Sequence, residues 1–216
     1  MKKNQKKEMI TRSVCRKFKN FTRVIFFDLE TTGFNIYHNS IIEIGAIDNL
    51  KKTFSTLIKV DKPLKPKIVE ITGITDELLL TGEESKIALL KFRDYVESIP
   101  CKDIYLLAHN CNGFDKPFLE TEFKKYNIRF NKKIHFVDTL RMAQLVLPFL
   151  NYHSMKSLSS YFNIINPNAH RAFEDATTLQ QIYQVLETFF YQKYGFSDIS
   201  DVNRILNNPY KIRSTI

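Results

Sequence analysis

The sequence predicts an α/β fold in which helices cover both faces of a mixed five-stranded sheet. Three strand-like segments follow one another closely over residues 23–60, and their short connections favour antiparallel pairing. Two further strand-like segments then alternate with helical ones, as in sheets covered by helices. The chain has 216 residues, 44% of them hydrophobic, which is sufficient for one sizeable core. We therefore expect one main domain.

The first three predicted strands are apolar runs rich in β-branched and aromatic residues. Residues 23–28 and 40–48 form two such runs, separated by a turn that contains Gly and Asn. Residues 52–60 form the third, because their β-branched and aromatic content favours a strand over a helix. The two prolines of residues 61–66 should then interrupt regular structure, since proline has no backbone donor.

The rest of the chain alternates helical and strand patterns. Apolar residues recur at helical spacing over residues 83–98, which predicts the first helix. Short apolar runs at residues 104–108 and 134–137 predict the last two strands. Further helices are expected over residues 114–126, 139–147, 155–162 and 173–194, the last being the longest, and residues 197–216 should add a short helix and a tail.

Charge divides the chain into a basic arm of residues 1–22, a main domain of residues 23–195 and a C-terminal helix and tail of residues 196–216. Residues 1–23 hold nine Lys or Arg residues and one Glu, whereas the rest carries a net charge of only +1 of the total +9. A basic segment beside a nearly neutral domain is typical of an electrostatic tether for nucleic acid, of a nuclear or organellar address, or of a solvated terminus.

Hydropathy and cysteine content narrow the class of protein. No apolar run approaches the roughly 20 residues needed to span a bilayer, so we expect no membrane role. Cys15, Cys101 and Cys111 are odd in number, lack metal-ligand spacing and follow no secretory signal. We expect free thiols in a reducing intracellular compartment, cytoplasmic or nuclear.

Two carboxylates, Asp28 and Glu30, mark the polar end of the first strand. Side chains two positions apart on a strand face the same way, so both should leave the core together. An isolated Asp-x-Glu is also compatible with a solvated acidic turn. A third acid, Asp115, follows the strand at residues 104–108, at the kind of strand end where α/β sheets bind ligands.

His170 and Asp175 stand at the start of the longest predicted helix. Five residues on a regular helix correspond to a rotation of about 500°, which leaves two side chains about 140° apart. We therefore expect His170 in the preceding loop and Asp175 in the first turns of the helix. A loop histidine beside an acidic cluster is suited to accept a proton.

The segments that hold these residues resemble the DEDDh group of 3′-to-5′ exonucleases, the superfamily of the proofreading epsilon subunit of bacterial DNA polymerase III, ribonuclease T and oligoribonuclease. FFDLETTG at residues 26–33, AHNCNGFD at residues 108–115 and HRAFEDA at residues 170–176 are similar to its three motifs. Gly113 is an insertion in the second. The resemblance covers about residues 23–194 and implies a ribonuclease H-like fold.

The resemblance implies a metal-dependent exonuclease that releases nucleoside 5′-monophosphates from the 3′ ends of single-stranded or frayed DNA. An exoribonuclease of the same family is the alternative, and a catalytically inactive nucleic-acid-binding module is a third reading, whose hallmark would be a lost acid or histidine. The implied partners are 3′ ends of single-stranded DNA or RNA and a polymerase or another replication or repair protein.

The resemblance makes His170 the general base and implies two Mg²⁺ ions, with Mn²⁺ possible. The implied metal ligands, which also count as catalytic, are Asp28, Glu30, Asp115 and Asp175. Elementary electrostatics supports this site, because four carboxylates within about 4 to 6 Å repel one another and hold protons unless cations are bound. Oxygen ligands without a cysteine cluster favour Mg²⁺ or Mn²⁺ over Zn²⁺. Histidine, with an ordinary pKa of about 6.5, accepts protons near neutral pH.

By resemblance, substrate contacts are expected from Thr31, Ile71, Thr72, Asn110 and Phe114. Residues 71–75 are similar to the family's substrate-contacting loop. Phe114 is suited to wedge against a terminal base or to join the core, and Thr31 to bind the nucleotide or to stabilise a turn. We expect structural roles for His109, His135 and His153, and an exposed Glu43 that binds no metal.

Overall fold

The computed structural model describes residues 21–208, and most of the basic arm, Cys15 and the end of the tail lie outside this part. The strands are β1 (Thr22–Thr31), β2 (Ile41–Asp48), β3 (Thr53–Leu57), β4 (Asp103–Ala108) and β5 (Ile134–Asp138). The helices are α1 (Pro66–Thr72), α2 (Asp76–Leu79), α3 (Ser85–Glu97), α4 (Asp115–Lys125), α5 (Thr139–Val146), α6 (Met155–Phe162), α7 (Ala172–Tyr194) and α8 (Ile199–Asn207).

The strands form the predicted mixed sheet, in the order β3-β2-β1-β4-β5. The first three are antiparallel to one another, as their short connections require. β4 pairs parallel to both β1 and β5. The helical connections before β4 and β5 return the chain to the edge of the sheet at which β1 begins, so these strands run in the same direction. β1 is therefore central, and the prediction of a mixed five-stranded sheet is confirmed.

Two hydrophobic clusters lie on opposite faces of this sheet. The alternation of β1 shows this directly, since Ile25 and Phe27 belong to one cluster and Phe26 to the other. Helices α3 and α4 cover the first face, with Phe92 and Phe118 fully buried. Helices α5, α6, α7 and α8 cover the second face. The expected helices on both faces are thus present.

Helix α8 is part of the second cluster, although the sequence places it beyond the main domain. Its apolar residues recur at helical spacing and are buried; they are Ile199, Val202, Ile205 and Leu206. Within the described residues, no helix has the length and apolar character needed to cross a membrane. Cys101 and Cys111 are free thiols, as expected.

Arg23 is not part of a basic arm, which corrects the sequence-based assignment of the positive charge at residues 1–23. Its side chain is fully buried in β1, and its Nη2 lies 2.7 Å from Oδ2 of Asp48. A second terminal nitrogen donates to the backbone oxygens of Tyr95 and Val96. A buried guanidinium needs such partners, so Arg23 joins β2 to the end of α3 instead of facing solvent.

The sequence also missed α1 and α2. The prolines interrupt regular structure only up to Lys65, because Pro66 occupies the first turn of α1, where its missing donor costs nothing. Gly73 ends α1 in a left-handed conformation with φ 68°. Ile71 and Thr72 therefore form the last turn of a helix, whereas the resemblance placed them in a loop.

Candidate active site

A cleft of about 710 Å³ opens where β1, α6 and the start of α7 meet. It is lined by four of the five residues that the sequence singled out, which are Asp28, Glu30, His170 and Asp175. The fifth, Asp115, is only 2% exposed and does not line the cleft. The five side chains come from three distant parts of the chain, so folding alone brings them together.

Asp28 and Glu30 lie near the end of β1, where the strand leaves the core. Leu29 between them is buried, in agreement with strand alternation. Asp28 lies opposite Gly45 in the antiparallel register, and Glu30 lies opposite Glu43. The register between β1 and β2 shifts directly after Glu30. The two acids therefore point together toward the cleft.

Asp115 begins α4 and is positioned by Asp138. The carboxylate of Asp138 accepts hydrogen bonds from the backbone N–H groups of Asn110 and Asn112, both at 3.1 Å. It also caps α5 by accepting from the N–H of Leu140 at 3.0 Å. One buried carboxylate thus ties the turn after β4 to the end of β5, and this turn leads directly into Asp115.

His170 lies in the loop before α7, and Asp175 lies in the first turns of that helix. The backbone N–H of His170 donates to Oδ2 of Asp175 at 2.9 Å, and Asn166 donates to Oδ1 at 2.5 Å. His170 has φ 68°, a left-handed conformation that is uncommon for a residue other than glycine. Its side chain is exposed at the cleft.

Gly45 allows the start of α7 to lie directly on β2. A β-carbon at this position would lie 2.1 Å from the backbone nitrogen of Phe173 and 2.2 Å from the carbonyl carbon of Ala172. Only glycine permits such close approach of two backbones. Because Gly45 is the register partner of Asp28, this approach brings Asp175 close to the acids of β1.

Glu43 is buried, and the prediction that it is exposed was wrong. It is 1% exposed, and its carboxylate accepts hydrogen bonds from the guanidinium of Arg171 and from the backbone N–H of Ala172. β2 is an inner strand of the sheet, and its residues are buried throughout, so an acid there requires buried donors. The loop before α7 provides them.

The pKa values of the four predicted metal ligands are all raised, with burial as the largest cause. Burial and the charge of Asp115 hold the pKa of Asp28 well above its usual range. Burial and the charges of Asp175 and Glu43 raise the pKa of Glu30 to about 8. Burial, with a contribution from Asp138, raises the pKa of Asp115 to about 8. Burial also raises the pKa of Asp175.

The donor set fits divalent cations. One ligand atom each of Glu30, His170 and Asp175 lies within 4.8 Å of the other two. Within the described residues, the buried carboxylate oxygen Oδ1 of Asp115 has no hydrogen-bond partner. Buried polar atoms are normally satisfied, so this oxygen calls for a proton or a cation. Clustered carboxylate oxygens suit hard cations, and a bound cation would offset both the burial and the repulsion that oppose ionisation of these acids.

Four of the five predicted substrate contacts line the cleft, namely Thr31, Ile71, Thr72 and Phe114. The hydroxyl of Thr31 donates to the carbonyl of Gly33 at 2.7 Å, so it also stabilises the turn after β1. Asn110 does not line the cleft, which differs from the prediction. Its backbone is held by Asp138, and its side-chain amide fills the space where Gly113 has no β-carbon.

The cleft-lining side chains that sequence reasoning missed include Phe34 and Lys156. Phe34 is 86% exposed, and its ring lies edge-on to Phe114 with centroids 6.1 Å apart. Among the cleft-lining residues that the structure describes, Lys156, at the start of α6, is the only lysine or arginine. Phe34 directly follows the first motif, but neither residue forms a periodic or spaced pattern that would have identified it.

The other histidines make contacts consistent with the structural roles expected for them. The ring of His109 lies within hydrogen-bonding distance of the carbonyl of His153 at 2.7 Å and of the hydroxyl of Thr139 at 3.1 Å. Burial lowers the pKa of His109. His135 stacks on Tyr105 with ring centroids 4.6 Å apart, outside the cleft.

Residues 25–183 match the RNase T family, described as exonuclease, and this span contains all five candidate residues. The chain is 31% identical over 198 residues to the PolC-type DNA polymerase III of Mycoplasma genitalium, with 87% of this chain aligned. It is 29% identical over 187 residues to the PolC-type enzyme of Caldanaerobacter subterraneus, with 84% aligned. In both cases it spans only 13% of the relative's length.

Solved structures of exonuclease I share the fold. The E. coli enzyme in complex with a dT13 oligonucleotide superposes with a TM-score of 0.70 at 17% identity, over 81% of this chain and 43% of that one. A second exonuclease I structure gives a TM-score of 0.69 at 18% identity, over 79% and 43%. None of these comparisons supports a nuclear or organellar address. The family match shows that the chain belongs to the RNase T family of exonucleases, which are metal-dependent nucleases.

Proposed function

We propose that the protein is a DEDDh-type 3′-to-5′ exonuclease that removes nucleoside 5′-monophosphates from single-stranded or frayed DNA. One observation carries this proposal: Asp28, Glu30 and Asp175 line a single cleft with His170, and the pKa values of these three acids and of the buried Asp115 are all raised. Perturbed pKa values in a cleft are typical of functional sites. All acids and the histidine of the three motifs are present, which argues against an inactive binding module.

The proposed cofactor is Mg²⁺, with two ions per site and Mn²⁺ as a substitute. Its ligands would be Asp28, Glu30, Asp115 and Asp175. Bound cations would neutralise these acids and polarise the phosphodiester. Asp115 contributes the buried oxygen that has no partner within the described part of the chain. Asp175 is already oriented by Asn166 and by the backbone of His170, so its carboxylate needs little rearrangement to bind.

His170 is proposed to accept the proton of the attacking water. In this reaction the water oxygen forms a bond to phosphorus, and the bond from phosphorus to the 3′ oxygen breaks. The products are a nucleoside 5′-monophosphate and a shortened strand whose 3′ oxygen takes up a proton. Because its side chain is exposed at the cleft, His170 can return its proton to solvent before the next cycle.

The cleft suits the unpaired end of a strand. Phe34 and Phe114 present two aromatic rings beside the acids, and aromatic rings stack on bases of any sequence. Lys156 provides a positive charge for a phosphate. We prefer DNA because the curated relatives are DNA polymerases and the fold neighbours include exonuclease I bound to oligodeoxynucleotides. RNA is the alternative substrate.

A polymerase is a proposed partner. Every relative described above is a PolC-type DNA polymerase III, and the chain corresponds to 13% of its length. The region of the polymerase that matches this chain is small, and an exonuclease within a polymerase acts at the growing 3′ end. This similarity supports such a role for the present chain. The present chain is proposed to act there or on free 3′ ends.

The decisive experiment follows the degradation of matched DNA and RNA oligonucleotides labelled at the 3′ or the 5′ end, with Mg²⁺ or with EDTA. We expect immediate release of the 3′ label as a mononucleotide and a ladder of shortened 5′-labelled products, both abolished by EDTA. Asp28→Asn serves as the control for contaminating nucleases. Release of the 5′ label before the 3′ label would contradict the proposed 3′-to-5′ polarity. Degradation of RNA alone would contradict the proposed preference for DNA.

A further inference from the structure

Glu43 is a fifth carboxylate, buried beside the four candidate metal ligands, whose ionisation is already disfavoured. It lies opposite Glu30 in the register of β1 and β2 and is 1% exposed. Its charge raises the pKa of both Asp28 and Glu30, so it opposes ionisation of the candidate metal ligands. A buried charge at this place requires compensation, and its hydrogen bonds indicate where the compensation lies.

The carboxylate of Glu43 accepts three hydrogen bonds from two consecutive residues. Nη2 of Arg171 donates to Oε1 at 2.8 Å, and Nε of Arg171 donates to Oε2 at 3.3 Å. The backbone N–H of Ala172 also donates to Oε2, at 2.9 Å. This bidentate ion pair fixes the orientation of the Arg171 guanidinium as well as its distance from Glu43. It joins an inner strand of the sheet to the residue that follows His170.

His170 is thereby held from both sides. Its own N–H donates to Asp175, and the next residue, Arg171, is anchored by Glu43. Arg171 is extended, with φ −121° and ψ 120°, whereas His170 has φ 68°. A left-handed conformation in a residue with a β-carbon persists only when its surroundings impose it. The Asp175 and Glu43 contacts are the constraints that impose it here.

We infer that the Glu43–Arg171 ion pair is a positioning device that holds His170 in its productive orientation. This inference rests on the proposed function, in which His170 accepts a proton. Glu43 and Arg171 act through His170 and are not themselves expected to touch the reacting atoms. The pair does more than stabilise the fold, because it constrains the one loop residue on which the proposed proton transfer depends.

The chain offers a matched control on the same helix and the same strand. Gln180 of α7 donates to the backbone oxygen of Asp48 at the far end of β2, and its own oxygen accepts from Lys51. Gln180 is buried, like Glu43. Gln180→Ala therefore removes a polar contact between α7 and β2 without touching the loop of His170.

A double-mutant cycle tests the inference. Glu43→Gln preserves the size of the side chain and one acceptor oxygen but removes the charge. In the wild-type background we expect it to lower kcat about 10- to 100-fold, as supporting residues of active sites typically do, with KM changed by less than about threefold. In the His170→Ala background the same substitution should change kcat by less than about threefold. Gln180→Ala should leave the kcat of folded protein unchanged in both backgrounds.

Equal losses from Glu43→Gln in both backgrounds would overturn the inference, since the residue would then act without His170. If His170→Ala retained wild-type kcat, the proposed base and the inference would both fail. If His170→Ala were slow and Glu43→Gln lowered kcat by the same factor in both backgrounds, the proposed base would stand and only the inference would fail. Should Glu43→Gln not fold, Arg171→Lys provides the same cycle, because it keeps a positive charge beside the buried Glu43 while removing the bidentate geometry, and the side chain of Arg171 is 36% exposed.

Discussion

At the scale of single residues, the candidate site is a concentration of like charge that the fold enforces. Asp28 and Glu30 are fixed by the alternation of β1, and the buried Oδ1 of Asp115 has no hydrogen-bond partner among the described residues. Repulsion and burial favour the protonated form of these acids in the folded protein. The same arrangement of acids would favour the binding of cations once the acids ionise.

The pH dependence of stability should report this charge concentration. Glu30 and Asp115 have pKa values of about 8 when folded, above their ordinary 4.5 and 3.8, so the folded state binds more protons than the unfolded state between these limits. Stability of the metal-free protein should therefore fall as pH rises from about 4.5 through about 8. The melting temperature in EDTA, measured at steps across this range, checks the prediction.

Two comparisons test whether ionisation of the site acids causes the fall in stability with rising pH. Glu30→Gln cannot ionise at this position, so its melting temperature should fall less steeply with pH than that of the wild type. Added Mg²⁺ should raise the melting temperature of the wild type more at pH near 8.5 than at pH near 5.5, because cations bind ionised carboxylates. Parallel curves for wild type and variant would show that Glu30 is not responsible.

Substitution of the candidate base and ligands should separate chemistry from folding. His170 is exposed, so His170→Ala should leave the melting temperature nearly unchanged while slowing turnover by about 10² to 10⁴. Asp28→Ala and Asp175→Ala should fold and lose turnover entirely. His135→Ala is the matched histidine control, because His135 stacks on Tyr105 outside the cleft. Single-turnover rates of the wild type, these variants and the control provide the measurement, and a wild-type rate for His170→Ala would remove it from the mechanism.

At the scale of elements, the site depends on how closely strands and helix starts approach each other. Asp138 ties the turn before α4 to the end of β5, and Glu43 ties β2 to the start of α7. Gly45 removes the side chain that would separate β2 from that same helix start. Asp115 and Asp175 are therefore placed by contacts made outside their own elements.

Gly45→Ala should disrupt the site through the backbone. The new methyl group would overlap the backbone of Ala172 and Phe173, so α7 must shift away from β2. Overpacking of this kind costs about 1 to 3 kcal/mol of stability. The shift also moves Asp175, so turnover per folded molecule should fall. Chemical denaturation and activity at matched folded fractions measure the two effects.

Gly195→Ala at the other end of α7 is the control for that experiment. Gly195 has φ 77° with open space around it, so alanine there costs about 1 to 2 kcal/mol by strain alone and does not move the start of the helix. Its activity per folded molecule should equal that of the wild type. A similar loss of activity in both variants would mean that turnover follows stability and not the approach at Gly45.

At the scale of the whole molecule, charge is distributed unevenly along the chain. Residues 1–20 contain eight Lys or Arg residues and one Glu, after exclusion of the buried Arg23. The remaining residues are nearly balanced. Such a basic segment can bind phosphates without sequence preference, and its contribution to affinity then depends strongly on salt.

Deletion of residues 2–20 tests the tether hypothesis. If these residues bind the strand, the truncated protein should bind single-stranded DNA more weakly, and the slope of log affinity against log salt should become less steep. Single-turnover cleavage at saturating substrate should be nearly unchanged, because every candidate site residue is retained. Binding titrations at several salt concentrations measure the slope. An unaltered slope would favour an address signal or a solvated terminus.

Much of this architecture could be predicted from local patterns. Apolar runs rich in β-branched residues located β1 and β2, and helical patterns located α3 and α7, all to within a few residues, because such local patterns reflect which side chains are buried. Helix α1 was missed because Pro66 was taken as an interruption, although proline is favoured in a first turn. Asn110 was expected in the cleft, but its backbone is held by a residue from β5.

By itself, the sequence determined the fold class and the family and predicted the candidate acids and histidine, because these depend on periodicity and on short motifs contiguous in the chain. Only the tertiary structure decided that Glu43 is buried against Arg171, that Arg23 lies in the core and that Gly45 admits a helix. The physical reason is that each of these facts depends on a partner distant along the chain. Burial, pairing and pKa are properties of neighbours in space, which no local pattern encodes.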